Sequence, residues 1–461
     1  MLTSGDVISI VFFACTLLVL LTGFPIAFSL AGLSLIFAGI GYLFGAFDPT
    51  TLINMPLRYF GTMTNEILVA VPLFILMGNV LERSGVAEAL LITMGKLFGT
   101  VRGGLGYSVI LVGMLLAAAT GVVGATVAAM TVIALPAMLK AGYQPKLATG
   151  IICSSSTLAQ IIPPSTVLIF TADILSGVNQ TAQMRMGNFA SATLSAGDLF
   201  AGALLPGLSL VVLYLLFVFV KSIMQPSTCP GIVMTAQDRR GLGREVLTSM
   251  VPPLFLIIAV LGSILIGIAT PTESASIGVF GATLLAVLKR KLSWHSAFVA
   301  GRNTIVTTTM IFAIVLAASL FALVFRGLGG EHMVEQALKD MPGGVNGAIF
   351  IVMAVMFVLG FFLDTFEIIL IMLPICGGPL ILLGVDPIWL GVMTAINLQT
   401  SFLTPPFGYS LFYMRGLAPE SIRTTEIWAG ALPFVGLQVV SILILWNFPS
   451  LATWLPSVLM R

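Results

Sequence analysis

The chain has 461 residues, 58% of them hydrophobic and 8% charged, with a formal net charge of +2 and a mean hydropathy of +1.11. Soluble domains carry about 25% charged residues, so this composition excludes one and describes a polytopic membrane protein. No basic tract suits nucleic acid, and four scattered cysteines without a CxxC (Cys15, Cys153, Cys229, Cys376) suit apolar filling better than a metal or a disulfide.

Charge-free stretches cover 7–47, 103–139, 147–172, 199–220, 246–272, 303–325, 341–363, 387–414 and 427–460. At about 20 residues per crossing, they make roughly a dozen membrane segments once the longest are divided. The first lacks a basic leader and a cleavage site, so it reads as a retained helix rather than a signal peptide. Gly23-Phe24-Pro25 divides it in two. The next apolar run, VPLFILMGNVL, is short for a crossing and is either a half-helix or part of a longer tilted one.

The stretch 103–139 is too long for one crossing. Divided at TGVVGAT it gives two arms of roughly 16 residues, about 24 Å each, which fits a re-entrant hairpin with its tip inside the membrane. Thr120, Gly121, Gly124 and Thr126 form that tip. Small residues let backbone approach an ion and hydroxyls add ligands, although such residues also simply pack helices. The run 147–172 holds Pro163-Pro164, which removes two amide donors; the freed carbonyls must find partners, a cation or a nearby serine such as Ser165.

Segment 173–198 is polar and reads as a surface loop. Segment 224–245, with Arg239, Arg240 and Arg244, reads as a cytoplasmic loop or surface-lying helix, and Lys289-Arg290-Lys291 as a second cytoplasmic point. Thr270 and Glu273 have capping-box spacing. His295 and His332 are isolated, expected in loops, and are assigned no catalytic role.

The run 341–385 mirrors the first hairpin, with Asp364 and Thr365 at its break. An intramembrane carboxylate is costly, so Asp364 is a candidate ion ligand or proton carrier, or else one half of a structural pair with an arginine such as Arg326. Asn397, Gln399, Thr400, Ser401 and Thr404 then approach Pro405-Pro406 and Gly408. The two proline pairs lie 405 − 163 = 242 residues apart, as do Gly142 and Gly384 (384 − 142 = 242). One plan used twice, with breaks inside spanning segments, points to a secondary transporter.

The pieces GFPIAFSLAG, VPLFILMGNVLERSG, AGYQPKLATGIICSSSTLAQIIPPS, DLFAGALLPGL, GIATPTESASIG, LGFFLDTFEIILIMLP and FLTPPFGYSLF, in this order, resemble the large membrane subunit of tripartite ATP-independent periplasmic (TRAP) transporters over nearly the whole chain. The resemblance implies an all-α, elevator-type fold of two inverted repeats, each with a re-entrant hairpin and a broken helix. It implies a sodium-driven importer in a bacterial inner membrane, surrounded by lipid. A periplasmic solute-binding protein would deliver an organic anion, and a small four-helix membrane subunit, expected as a separate chain, would pair with this one. On that plan 1–60 is N-terminal scaffold, 61–195 the first repeat, 196–300 further scaffold, 301–420 the second repeat and 421–461 a C-terminal helix.

The implied site for Na⁺ and substrate comprises Thr120, Gly121, Gly124, Thr126, Gln160, Pro163, Ser165, Asp364, Thr365, Asn397, Thr404, Pro405 and Gly408. Two departures fall on it: the family's serine-rich tip, close to GSSVAT, here reads GVVGAT, and the glycine and leucine before IPPS are Ala159 and Gln160. A rival reading is a stand-alone Na⁺- or H⁺-coupled carboxylate carrier without a binding protein. An intramembrane enzyme is not expected, because no histidine lies in a span and Asp364 has no aspartate partner.

Overall fold

The computed structural model describes residues 3–189, 193–232 and 241–459. Among these the backbone is helical, with no strand. Helix α1 (Ser4–Leu20) opens on a capping box: the Thr3 hydroxyl accepts the Asp6 N–H at 3.2 Å, and the Asp6 carboxylate accepts the Thr3 N–H at 2.7 Å. The chain turns through Gly23–Pro25 before α2 (Ile26–Leu43), as the break in the sequence requires. Helices α3 (Met55–Met63) and α4 (Glu66–Arg83) meet at a 52° bend, so the short run VPLFILMGNVL belongs to a longer helix that accommodates Pro72.

Then come α5 (Val86–Phe98), the pair α6 (Gly104–Thr120) and α7 (Val123–Lys140), α8 (Pro145–Thr157), α9 (Thr166–Arg185) and α10 (Ala196–Met224). After these follow α11 (Val251–Leu265), α12 (Pro271–Leu288), α13 (Trp294–Gly327), α14 (Gly330–Lys339), α15 (Gly344–Leu359) and α16 (Thr365–Leu382). The last four are α17 (Pro387–Leu403), α18 (Tyr409–Leu417), α19 (Thr424–Asn447) and α20 (Ser450–Leu459). Eight helices among the described residues are long and apolar enough to cross a membrane, or up to nine with the bent pair, and four shorter apolar helices accompany them. Thr270 and Glu273 form the expected box at the start of α12, with reciprocal bonds of 3.2 and 2.8 Å.

Two expectations are corrected. Segment 173–185 is helix rather than loop: α9 continues through it, buries Leu175 and Ala182, and uses its polar residues locally, Thr181 Oγ1 donating to the Gly177 carbonyl at 2.9 Å. His295 lies in the first turn of α13 and His332 within α14. In segment 224–245, Arg239 and Arg240 fall outside the described residues; Arg244 lies in the first turn, Leu242–Glu245, of a helical run that continues through α11 to Leu265, and its neighbour Glu245 pairs with Lys96 at 2.8 Å.

The chain divides into two compact units. One comprises Met1–Leu68, Phe170–Ser195 and Val306–Gly391; the other comprises Val69–Ile169, Ala196–Ile305 and Val392–Arg461. Lipid is as apolar as leucine, so helices inside a membrane associate through close packing rather than hydrophobic burial. The first unit packs aromatic rings closely, Phe12 stacking on Phe37 at 5.0 Å and meeting Phe321 at a tilt, 4.7 Å between ring centroids. In the second, Gly150 of α8 and Gly430 of α19 bring two backbones together where no Cβ fits on either side.

A charged clasp holds α14 in the first unit. Arg185 and Lys339 reach Glu335 at 2.7 and 2.8 Å, and Arg326 meets Glu331 at 2.5 Å. Hydrogen bonds from Lys339 and then Arg185 hold the Glu335 carboxyl below its ordinary value. A carboxylate with a lowered folded-state pKa stabilises above its unfolded value and loses that contribution as pH falls through the folded one. Acidification below about pH 4.3 is therefore expected to lower the melting temperature of the wild type more than that of Glu335→Gln. Parallel pH profiles in thermal scans would remove this role.

Candidate functional site

The chain turns where the sequence places the tip: α6 and α7 are joined by Gly121 and Val122 alone, and α7 by itself is long and apolar enough to cross a membrane. Gly121 adopts φ +62°, and a Cβ there would stand 3.0 Å from the Thr166 nitrogen and 3.1 Å from its hydroxyl. Only glycine satisfies both the left-handed backbone and that approach. The Thr166 hydroxyl donates to the Gly121 carbonyl at 2.9 Å, tying the tip to the start of α9. Within the tip, the Thr120 and Thr126 hydroxyls are 2.7 Å apart, and Thr126 also donates to the Val122 carbonyl at 2.9 Å. A hydroxyl has one proton, so Thr120 donates to Thr126 and keeps its own lone pairs for a ligand.

The first proline break begins where α8 ends in a turn over Leu158–Gln160 and closes at Thr166. Ser165 bridges it, donating to the Gln160 carbonyl at 3.2 Å, and Gln160 and Ser165 are fully buried. Ser165 adjoins Thr166, so tip and break form one structure. The second break separates α17 from α18. Thr404 donates to the Thr400 carbonyl at 2.7 Å, and the Gly408 N–H to the Thr404 carbonyl at 3.0 Å. A Cβ on Gly408 would lie 2.6 Å from the Phe402 carbonyl. The Pro163-Pro164 and Pro405-Pro406 bonds are both cis. Asn397 is buried on α17, two turns ahead of Thr404.

The two breaks meet at the same tip. A Cβ on Gly124 would stand 3.1 Å from the ring of Tyr413 on α18, and Tyr413 shares a tilted ring contact (centroids 4.9 Å apart) and a 3.3 Å hydroxyl contact with Tyr409 directly after Gly408. Thr166, Tyr409 and Tyr413 were not singled out from the sequence. Each lies just past a singled-out break, in PPST and in PPFGYSLFY, and that adjacency was the available signal.

Eleven of the thirteen sequence-predicted residues thus fall in the second unit; Asp364 and Thr365 fall in the first. Asp364 is the N-cap of α16. Its N–H donates to Glu367 Oε2 at 3.1 Å, and the pair forms a capping box. Arg326, considered as a partner for Asp364, is instead engaged by Glu331. Among the described residues no group of three or more histidine, cysteine or acidic side chains could hold a metal. What the tip and breaks offer is hydroxyl and carbonyl oxygen, which suits a hard cation.

Apolar helices of spanning length, interrupted at an oxygen-lined tip and two proline breaks, define a membrane transporter. The chain belongs to the family described as "Tripartite ATP-independent periplasmic transporter, DctM component", whose sequence model matches residues 13–451. It is 29% identical to the C4-dicarboxylate TRAP transporter large permease protein DctM of Pseudomonas aeruginosa, covering 89% of this chain and 91% of that one. It is 27% identical to the ectoine large permease protein TeaC of Halomonas elongata (96% and 97% covered) and 26% identical to the 2,3-diketo-L-gulonate large permease protein YiaN of Escherichia coli (95% and 96%). In fold it is similar to the Alcanivorax borkumensis YdaH transporter, with a TM-score of 0.58 at 15% identity over 90% and 88% of the two chains. The Neisseria gonorrhoeae efflux pump MtrF gives 0.57 at 12% identity over 86% and 83%. The chain is a multi-pass TRAP large permease subunit.

Proposed function

We propose that this permease is a sodium-coupled importer of an organic anion, a carboxylate, acting in a bacterial inner membrane. A periplasmic solute-binding protein delivers the solute and a small four-helix membrane subunit completes the complex. The observation that carries this reading is the convergence of both breaks on one hairpin tip through Thr166 and Tyr413. Neutral oxygens of Thr120, Thr126, Ser165 and Thr404, with carbonyls at the breaks, are the donors for Na⁺; Asp364 supplies a negative charge to the coupling. Half-helix N-termini at α7, α9 and α18 offer amides and positive dipole ends to the solute carboxylate. A bound cation beside that carboxylate favours its binding, which couples the two, and the two repeats carry the load across by an elevator movement.

Two measurements test the proposal. Uptake into proteoliposomes is expected to need both an inward sodium gradient and the binding protein, falling at least about tenfold without either, a loss of 1.36 kcal/mol of barrier lowering. Sodium alone, against an equal concentration of choline, is expected to raise the melting temperature, because a ligand that binds only the folded state stabilises it. Uptake indifferent to the binding protein would favour a stand-alone carrier, and a melting temperature indifferent to sodium would remove the ion site.

A further inference from the structure

A basic corner lies outside the site described above, where the C-terminal ends of α4 and α12 meet the first turns of α13. Arg83, Ser84, Lys291 and Ser296 line a small notch there, and Lys291 Cε comes within 4.0 Å of where a Cβ on Gly85 would be. Lys289 and Arg290 precede Lys291 in the chain, so with Arg83 the adjoining sequence carries four cations against the carboxylates of Glu82 and Glu88. Among the described residues none of the four forms an ion pair. Among the described residues the Lys289 ammonium nitrogen has no hydrogen-bond partner, and an unpaired cation shielded from water is a costly state.

The backbone adds a second observation. The Arg290 N–H bonds to the Val287 carbonyl at 2.8 Å and the Lys291 N–H to the Ala286 carbonyl at 3.0 Å, the two closing bonds of a Schellman motif. Its left-handed position is ordinarily glycine, yet Arg290 occupies it at φ +54°, the one such non-glycine residue among those described. A cation is therefore held where an uncharged residue would fit with less strain. Beside it, Phe280, Leu284 and Leu288 form an exposed stripe at four-residue spacing along α12, and Trp294 at the corner is 88% exposed. An apolar stripe ending in cations, with a tryptophan at the boundary, has the layout of acyl chain, headgroup and interface.

We propose that this corner binds the phosphate of an anionic phospholipid in the cytoplasm-facing leaflet, with its acyl chains along Phe280, Leu284 and Leu288. The site is independent of the ion and solute site, so it stands or falls apart from sodium coupling. Phosphatidylglycerol is chosen as the probe and phosphatidylcholine, whose phosphate is offset by its own choline cation, as the zwitterionic control of zero net charge, each titrated onto the detergent-solubilised full chain and read by native mass spectrometry. Phosphatidylglycerol is expected to bind at least about tenfold tighter, given the contribution of each nearby Lys or Arg. That preference should fall to within about twofold in Lys289→Gln/Arg290→Gln/Lys291→Gln.

Should the triple variant fold poorly, Arg290→Gly serves, because it relieves the backbone. It should melt no lower than the wild type while weakening phosphatidylglycerol binding severalfold. Equal binding of the two lipids overturns the proposal, and so does a preference that survives both variants. Inorganic phosphate displacing the lipid at millimolar concentration would make the corner a soluble-phosphate site instead. Loss of the lipid whenever the small subunit is bound would make it a protein interface.

Discussion

Gly430→Val is expected to leave almost no folded permease in the membrane. A Cβ on Gly430 would overlap the Lys146 carbonyl and stand 3.2 Å from the Gly150 nitrogen, while one on Gly150 would overlap the Gly430 carbonyl. The obstacles are backbone atoms, so no side chain can rotate away. Overpacking a well-filled interior costs about 1–3 kcal/mol even where side chains do give, and small residues at such seams are what allow membrane helices to associate. The seam also anchors α8, whose residues from Leu147 to Thr157 are buried and lead directly into the first proline break. Gly436→Val on the same helix is the control, since nothing lies within 4 Å of its Cβ position. Monodisperse protein yield after solubilisation measures both; wild-type yield for Gly430→Val would mean the seam can open.

Asp364→Asn is expected to cut sodium-driven uptake at least about tenfold while leaving the melting temperature nearly unchanged. Asparagine caps a helix about as well as aspartate, so this variant removes the charge and keeps the capping geometry of α16. Asp364→Ala removes both and should also destabilise by about 1 kcal/mol. The pair separates the capping role seen at the start of α16 from the coupling role proposed for the carboxylate. Full uptake with Asp364→Asn would make Asp364 a cap and nothing more, and would take it out of the coupling.

The breaks were legible because their causes are local. Pro163-Pro164 and Pro405-Pro406 remove donors wherever they occur, and an over-long apolar run must turn back at its small residues, as it does at Gly121. The capping box at Asp364 was equally legible, because the spacing to Glu367 repeats that of Thr270 to Glu273. Tertiary causes were not legible. Nothing near Gly150 or Gly430 in the sequence pairs them across 280 residues (430 − 150). Segment 173–185 has loop-like composition, and it is helix because Arg185 is clasped by Glu335 and Leu175 and Ala182 are buried. Tyr413 gains its importance from the empty Cβ position of Gly124, a property no single segment contains.

The Gly150–Gly430 seam also limits which motions are open to the protein. Side chains that interlock can slide by changing rotamers, but two backbones in direct contact have no such intermediate positions. Helices α8 and α19 must therefore travel together whatever the rest of the permease does. In spectroscopic terms, the distance between labels placed on these two helices should keep a single narrow distribution throughout the transport cycle, making the pair an internal ruler against which every moving segment can be measured.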